Sequence, residues 1–273
     1  MLPSVVLLCH EDDPIDRHGL AAWLASSLRL VGLLLIRDRP ARRFRALRRE
    51  YGRSGVDGLV DVLGFQLLYR FAGAGRDDAW RSAEASRLRQ LYTADLDGVP
   101  IEVVSDPNGE DARQFLTGLR PDLLIARCKF ILNRSVFSIP RVGTFAIHPG
   151  VCPEYRNAHG CFWALTRRDL GRVGMTLLQI DAGVDTGPVY LRASYPFDEL
   201  AETHVVIQYR VVTENLPIIA RTLVEIAEGR AKPLCSTGRT SAVWGHPRLS
   251  AYWKWKKAAR HDRDDLRHLT AVP

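Results

Sequence analysis

The sequence predicts an α/β fold with a doubly wound, mostly parallel sheet and a helical, basic C-terminal extension. Its 273 residues are 46% hydrophobic and 25% charged, which is typical of a globular protein and not of a disordered, collagenous or coiled-coil chain. The short apolar segment Ser4–Cys9 is typical of a strand buried on both faces of a parallel sheet. A helical pattern and a second apolar segment follow it, and this β-α-β order favours a right-handed crossover within one sheet.

The first helix is predicted to begin at Pro14, a residue suited to a first helical turn, with Trp23, Leu24 and Leu28 facing inward. The second strand is Leu30–Ile36. Beyond it the pattern is helical to about residue 96. The apolar spacing of this long segment predicts a buried face made of Leu59, Val62, Leu63, Gln66, Leu67 and Arg70.

The remainder of the chain continues the alternation of strands and helices. The predicted strands are Ile101–Val104, Asp122–Ala126, Gly143–His148, Met175–Ile180 and Pro188–Tyr195. The predicted helices are Asp111–Leu119, Ala158–Arg167 and one long helix, Thr203–Glu228. These elements predict one α/β domain over residues 1–230, and residues 231–273 are predicted to be an extension that packs on the same domain.

The charge of the chain is positive, with a formal net charge of +7 and a pI near 9.4. The basic residues concentrate in two stretches, Arg37–Arg53 and Arg248–Arg267. Arginine-rich stretches are usually solvated faces, so the first stretch is expected to be exposed and no nucleic-acid partner is expected.

The longest apolar run, Leu30–Ile36, is far shorter than the roughly 20 residues that span a bilayer, so no membrane partner is expected. The first residues lack the basic region of a secretory signal, which predicts a cytoplasmic protein. The five cysteines are scattered without a C-x-x-C pair, so neither a disulfide framework nor a zinc ribbon is indicated.

Several catalytic motifs are absent from the sequence. No G-x-G-x-x-G follows the first strand, and the acidic turn Cys9–Asp13 would repel a pyrophosphate, which argues against a dinucleotide cofactor. There is neither a phosphate-binding G-x-x-x-x-G-K-[ST] loop nor a G-x-S-x-G nucleophile motif.

The densest cluster of functional residue types is His148–Gly160, which begins where a predicted strand ends on a histidine. In open α/β sheets, ligands bind beyond the carboxyl ends of the strands. The region from Pro121 to Leu191 resembles the formyltransferases that use 10-formyltetrahydrofolate. The residues in register with that family's motifs are His148, Pro153, Tyr155, Arg156, Trp163, Gly174, Thr176, Asp185, Thr186 and Gly187.

The resemblance implies a Rossmann-like fold, a formyltransferase activity and two catalytic roles. His148 would donate to the formyl oxygen as it becomes negative, and Asp185 would hold the imidazole charged and accept the amine proton. Taken singly, each of the two could instead be a structural residue, at a strand end and in a turn. Cofactor contacts, by resemblance, would come from the crevice formed by Arg127, Ile147, Asp181, Gly183 and Val184. Substrate contacts would come from His10, Glu11, Asp12, Tyr155 and Arg156.

The chain departs from the family at three positions of this region. Ala146 stands where the family has the asparagine that helps to hold the formyl oxygen, Leu178 stands where histidine is frequent, and Asn157 stands where glycine is commoner. Asn157 or His159 could fill the space of the missing amide. The alternative to an enzyme is therefore a catalytically impaired member that binds a ligand or a partner.

The sequence also bears on a metal site, a tRNA substrate and the class of amine. Zinc could be bound by His148, Cys152, His159 and Cys161, but their spacing fits no familiar site, so no metal is expected. Formyltransferases that act on methionyl-tRNA carry an additional carboxy-terminal β-domain, for which the roughly forty residues after Arg230 are expected to be too few. The acidic first turn predicts a small, non-phosphorylated amine, although acids also favour helix N-termini for structural reasons alone. A homodimer is possible.

Overall fold

The computed structural model describes residues 2–38 and 41–270, without the side chains of residues 41–50, 53–54 and 265–270. Seven strands form one sheet in the order β3-β2-β1-β4-β5-β7-β8. These strands are β1 Ser4–His10, β2 Arg29–Ile36, β3 Ile101–Val104, β4 Leu123–Arg127, β5 Gly143–His148, β7 Met175–Gln179 and β8 Val189–Ala193. A separate two-stranded ladder joins β6 Arg156–Asn157 to β9 Val243–Trp244.

Five neighbouring strands of the sheet, from β3 to β5, are parallel, and β7 and β8 join them antiparallel. The predicted α/β fold with a mostly parallel sheet is confirmed. The chain builds outward from β1 in both directions, so the strand order reverses between β1 and β4. At such a switch point the loops after the two strands diverge and leave a crevice at their carboxyl ends.

Helices cover both faces of the sheet. A π-helix, Ile15–Leu20, runs into α1 Ala21–Ser27. The other helices are α2 Ala41–Ala72, α3 Ala74–Leu91, α4 Glu110–Leu119, α5 Arg134–Phe137, α6 Gly160–Thr166, α7 His204–Thr213, α8 Leu216–Ala227 and α9 Leu249–Thr270. Helices α4 and α5 pack on one face, and the larger core on the other face includes the fully buried Trp23 and Trp255.

The prediction of one long helix over Thr203–Glu228 was wrong, because α7 ends at Thr213 and α8 begins at Leu216. Pro217 in the first turn of α8 lacks the N–H that a continuous helix requires. The Asn215 amide bonds the carbonyls of Val211 and Ser194 at the break. The apolar spacing continues across this turn, which is why the sequence pattern did not show it.

The predicted buried face of the long helical segment was also partly wrong. Leu63 and Leu67 are exposed, whereas Phe65 is buried. The Phe65 ring packs against Phe162 and His204, which come from distant parts of the chain, and this aromatic contact sets the rotation of α2. A left-handed Gly55 (φ 66°) divides α2. The arginine-rich stretch was predicted to be exposed. The side chains of residues 39–50 and 53–54 lie outside the described residues, so for them this stays a prediction.

The extension after residue 230 contacts the α/β domain through aromatic rings. The Trp244 ring stacks on Tyr155 and Trp163, with centroid distances of 5.8 and 5.0 Å. Trp255 of α9 packs edge-on against Phe162. The division of the chain at residue 230 stays a prediction. Across the part of the chain that the structure describes, no helix is both long enough and apolar enough to cross a membrane.

Candidate active site

A cavity of about 350 Å³ opens at the carboxyl ends of β1, β4 and β5, where the strand order reverses. The last residues of these three strands, His10, Arg127 and His148, all line it. The loop after β7 contributes Val184 and Asp185, and α7 contributes Gln208 and Tyr209. The crevice expected beyond the strand ends therefore exists, and it contains the two residues predicted to be catalytic.

His148 is held in one orientation by its own loop. Its side chain is only 9% exposed, and Nε2 lies 2.9 Å from the carbonyl oxygen of Tyr155. Because a carbonyl only accepts, Nε2 carries a proton and donates it. The other ring nitrogen, Nδ1, lies 3.8 Å from Oδ2 of Asp185. Nδ1 is therefore the atom that can exchange a proton in the cavity.

Asp185 is positioned by the backbone of β6. The Asn157 N–H donates to Oδ2 of Asp185 at 2.7 Å, and Asp185 itself has a left-handed backbone (φ 50°). The Arg156 guanidinium donates to the carbonyl of Val184 at 3.0 Å and ties the same loop to β6. Inside the loop, Asp181 accepts from the Gly183 N–H. The Asn157 N–H thus holds the Asp185 carboxylate, and the other two bonds hold the loop that carries it.

Two glycines allow the chain to fold tightly around His148. A Cβ at Gly150 would lie 2.6 Å from both Nε2 of His148 and the Tyr155 oxygen. A Cβ at Gly160 would lie 2.6 Å from the Gly150 Cα. The hydrogen bond that orients the imidazole therefore requires that both positions lack a side chain.

An ion pair lies at the buried end of the cavity. Nε of Arg127 donates to Asp16 at 3.1 Å, and Nη1 donates to the Ile147 carbonyl at 2.7 Å. Both charged side chains are less than a tenth exposed. Burial raises the pKa of the Asp16 carboxyl to about 7, although the Arg127 guanidinium acts in the opposite direction. Arg127 therefore joins the ends of β4 and β5 and holds the backbone next to His148.

The acidic first turn is divided between the cavity and the surface. Asp12 and Asp13 line the cavity, and Asp13 accepts a hydrogen bond from the Tyr209 hydroxyl. Asp13 also accepts from the backbone N–H of Asp16 at 3.2 Å, which caps the first helical turn. Glu11 instead pairs with Arg37 outside the cavity at 2.7 Å. Helix capping therefore accounts for one oxygen of Asp13, and contact of this turn with a substrate stays a prediction.

The position of the missing amide is occupied by the methyl group of Ala146, which lines the cavity. The Asn157 side chain does not point there, because its amide donates to the Trp244 carbonyl at 2.5 Å. His159 does line the cavity, and among the described residues its buried Nδ1 has no hydrogen-bond partner. Burial lowers the pKa of the His159 imidazole well below its usual range, so this ring is neutral.

Most of the predicted site residues meet in this cavity. Its lining contains the following nine: His10, Asp12, Arg127, Ile147, His148, Asn157, His159, Val184 and Asp185. Five others lie outside it: Glu11, Tyr155, Arg156, Asp181 and Gly183. Tyr155 is 3% exposed, and its hydroxyl bonds Asp169 at 2.8 Å, so it contributes its carbonyl rather than its ring.

Sequence reasoning missed several charged and polar residues of the lining, namely Asp16, Arg81, Lys129, Gln208 and Tyr209. A partial signal existed for Asp16, because it follows the acidic turn, whose Asp13 also lines the cavity. The four-residue zinc set does not assemble: among described residues, no group of three candidate ligands could hold a metal ion. The Cys161 thiol instead bonds the Gly174 carbonyl.

Comparison with known proteins identifies a family over the part of the chain that carries this site. The profile of the formyl transferase family matches residues 93–223, a range that contains His148, Asp185 and the loops that orient them. The predicted resemblance to the formyl transferase family is therefore confirmed over this range, which is just under half of the chain. A methionyl-tRNA formyltransferase of Aromatoleum aromaticum is 31% identical over 160 residues, which are 58% of this chain and 49% of that protein. One from Dehalococcoides mccartyi is 42% identical over 82 residues, covering 30% of this chain and 26% of the relative.

The chain thus spans about half the length of the curated formyl transferase relatives it matches first. Solved structures share its fold at low identity. A phosphoribosylglycinamide formyltransferase from Anaplasma phagocytophilum aligns with a TM-score of 0.53 and 16% identity, over 89% of this chain and 98% of that one. A sugar N-formyltransferase from a Shewanella species aligns with a TM-score of 0.52 and 12% identity, over 89% and 76% of the two chains.

Proposed function

We propose that this protein transfers a formyl group from 10-formyltetrahydrofolate to the primary amine of a small, non-phosphorylated substrate. The observation that supports this most directly is the pairing of His148 Nδ1 with Asp185 Oδ2 at 3.8 Å inside a cavity. Formyl transfer to an amine needs a donor for the formyl oxygen and an acceptor for the amine proton. This pair supplies both.

The cavity suits a flat, partly polar cofactor. Its volume of about 350 Å³ lies within the usual range of ligand pockets, roughly 300–1,000 Å³. Its wall combines apolar side chains such as Ile147 and Val184 with polar groups, among them the unpartnered Nδ1 of His159. A buried polar atom without a partner is costly unless a ligand or water satisfies it. Bound there, 10-formyltetrahydrofolate would supply the activated formyl carbon.

The roles of the protein groups follow from their positions. Nδ1 of His148, when protonated, donates to the formyl oxygen as negative charge develops on it, while Nε2 stays bonded to Tyr155. Asp185 accepts the proton that the attacking nitrogen loses as its bond to the formyl carbon forms. The Asn157 N–H keeps the Asp185 carboxylate in place. The proton on Nδ1 can then pass to the nitrogen from which the formyl group departs.

The proposed acceptor amine follows from the charges around the cavity. Five aspartates line it, Asp12, Asp13, Asp16, Asp38 and Asp185, against the three cations Arg81, Arg127 and Lys129. Asp16 and Arg127 neutralise each other. A cationic amine is attracted to such a site, whereas a phosphate group is repelled.

The alternative function is binding without turnover. Ala146 offers no hydrogen-bond donor to the formyl oxygen, and losing one such donor typically reduces the rate about 10²–10³-fold. The side chain of Asn157 is bonded to Trp244 and cannot replace it without breaking that bond. Among the described residues that line the cavity, His159 has a ring nitrogen, Nδ1, that could still bond a ligand in place of the missing amide.

The test combines binding and turnover. We would titrate the protein with a non-transferable folate analogue and then measure release of tetrahydrofolate with matched pairs of amines, each with and without a phosphate group. The proposal expects analogue binding and turnover with non-phosphorylated amines, both reduced in His148→Ala. Binding without turnover supports the alternative, and preference for the phosphorylated partner of each pair contradicts the proposed substrate class. A cytoplasmic location, a homodimer and the absence of a nucleic-acid partner stay predictions.

A further inference from the structure

A second cavity, of about 370 Å³, lies between α2, the start of α7 and α9. It shares no lining residue with the candidate active site. Two histidines stand between the cavities. His159 lines the candidate active site, His204 lines the second cavity, and their ring centroids are 6.4 Å apart. The second cavity is therefore a distinct feature that formyl transfer does not explain.

The charge of the second cavity is strongly positive. Four cations line it: Arg76, Lys256, Arg260 and Arg263. Three of them follow one face of α9 at helical spacing, and Arg76 faces them from α3. Within the described part of the chain, none of the three arginines forms an ion pair with a carboxylate. Unpaired guanidinium groups that converge on a concave site are suited to bind an anion.

The one carboxylate in the lining, Glu202, is already neutralised. Arg210, which does not line the cavity, donates to Glu202 at 3.1 Å, and the Tyr195 hydroxyl donates to the same carboxylate. Glu202 therefore cannot serve as the counter-ion of the four cations. An anion that enters the cavity would meet four cations, of which Lys256 and Arg263 are only partly balanced by Asp198 and Glu199 outside the lining.

Lys256 shows the effect of this charge. Its side chain is buried, and Nζ donates to the Glu199 carbonyl at 2.6 Å, which uses one of three donors. Burial, together with the neighbouring Arg260 and Arg76, lowers the pKa of Lys256 to about 8 against the opposite effect of Glu199 and Asp198. The cations repel one another in the absence of a ligand, so an anion that binds among them would relieve this repulsion.

The start of α7 adds to the anion-binding character of the cavity. Thr203, the N-cap, and His204, the first residue of this ten-residue helix, both line it. Helix N-termini carry partial positive charge and favour anions. Burial lowers the pKa of His204 to about 3, so this ring stays neutral and does not itself act as a cation.

The opposite wall of the second cavity is aromatic. Phe65, Tyr69 and Tyr252 line it together with Leu68. The Phe65 ring lies 5.7 Å from that of Tyr252 and 6.2 Å from that of Tyr69. A ligand with a flat ring can stack on or slide between such side chains, which a plain inorganic anion cannot do.

We propose that the second cavity binds a small phosphorylated ligand that also carries an aromatic ring, of the size and chemistry of a nucleotide. The phosphate groups would lie among Arg76, Lys256, Arg260 and Arg263, and the ring against Tyr69 and Tyr252. The volume fits one small molecule, since pockets for such ligands begin at roughly 300 Å³. An RNA strand would instead need an extended groove.

The test uses ADP, pyrophosphate and adenosine as probes in calorimetric titrations of the full chain. ADP is expected to bind at least about tenfold more tightly than either fragment, because only ADP makes both sets of contacts. The double variant Arg260→Glu, Arg263→Glu should weaken ADP binding at least about 30-fold. The matched control, Lys254→Glu with Lys257→Glu, makes the same charge change with exposed residues of α9 that do not line the cavity, and it should leave ADP binding within about twofold.

Four outcomes would overturn the proposal. These are no ADP binding at millimolar concentration, ADP binding no tighter than pyrophosphate, equal weakening by the control variant, and binding of an unstructured RNA oligomer where ADP fails. His148→Ala serves as a further control, because that residue lies in the other cavity. Loss of ADP binding in His148→Ala would place the nucleotide in the candidate active site and would also contradict the inference.

Discussion

Replacing Ala146 by asparagine should raise the rate of formyl transfer. Ala146 lies two residues before His148 on β5, so both side chains face the same side of the sheet, about 6.5 Å apart along the strand. Ala146 already lines the cavity, and an amide there would add a second donor for the formyl oxygen. One such donor is worth about 10²–10³ in rate, or roughly 3–4 kcal/mol, so an increase of this order is expected.

The same variant should lower stability. The Ala146 methyl packs against an apolar cluster of Cys152, Leu178 and Val189 on β7, β8 and the loop before β6. An amide placed next to this cluster loses part of its hydration, which costs about 1–3 kcal/mol. The variant is therefore expected to be faster but to unfold at lower urea concentration. Ala146→Leu, which has a side chain of similar size and no amide, should show neither the gain in rate nor this cost of desolvation.

The assay follows tetrahydrofolate release under saturating cofactor with the best amine from the panel. A third variant combines Ala146→Asn with Asp185→Asn and should return to the low rate, because the added donor acts on a reaction that still needs the carboxylate. No gain from the asparagine would refute the assignment of the formyl oxygen to this part of the cavity. A gain that survives loss of Asp185 would refute the role of the His148–Asp185 pair.

Three further variants test the site and its support. Asp185→Asn keeps an oxygen for the Asn157 N–H and should reduce kcat about 10²–10⁴-fold while the urea midpoint changes little; an active variant would remove Asp185 from the mechanism. Gly150→Ala places a methyl group 2.6 Å from Nε2 of His148, so it should lower the free energy of unfolding by about 1–3 kcal/mol and reduce activity as well. A variant with wild-type stability would instead show that the loop can move aside. Burial lowers the pKa of His204 to about 3, below its unfolded value near 6.5. The contribution of this group to the free energy of unfolding is therefore fully present above pH 6.5. It falls by up to about 1.4 kcal/mol per pH unit as the pH drops below that value. His204→Phe should reduce the dependence of the urea midpoint on pH between 7 and 5, and an unchanged dependence would assign it to other groups.

The strands could be predicted well from the sequence. Ile101–Val104 and Gly143–His148 are observed with the predicted bounds, because short apolar segments between polar residues have few other places in a soluble fold. The buried faces of helices and the breaks between helices were harder to predict from the sequence. The rotation of α2 depends on Phe65 meeting rings far away in the chain, and the break at Asn215 interrupts an apolar spacing that does not itself change.

The candidate site was predictable only in part. Resemblance to the family pointed to His148 and Asp185, and the structure places His148 Nδ1 3.8 Å from Asp185 Oδ2. Resemblance could not show that Tyr155 acts through its carbonyl, since its ring is turned toward Asp169. Nor could periodicity show that Tyr209 of α7 reaches Asp13, because that contact depends on how two distant helices pack.

The link between β6 and β9 has a consequence for when the candidate site is complete. Asn157 pairs with Trp244 in this short ladder, and the same residue holds Asp185 through its N–H. During translation, the sheet can be complete while Trp244 is still inside the ribosomal tunnel. The nascent chain would then carry a folded crevice in which the Asp185 carboxylate is not yet held, until Trp244 leaves the tunnel and pairs with Asn157.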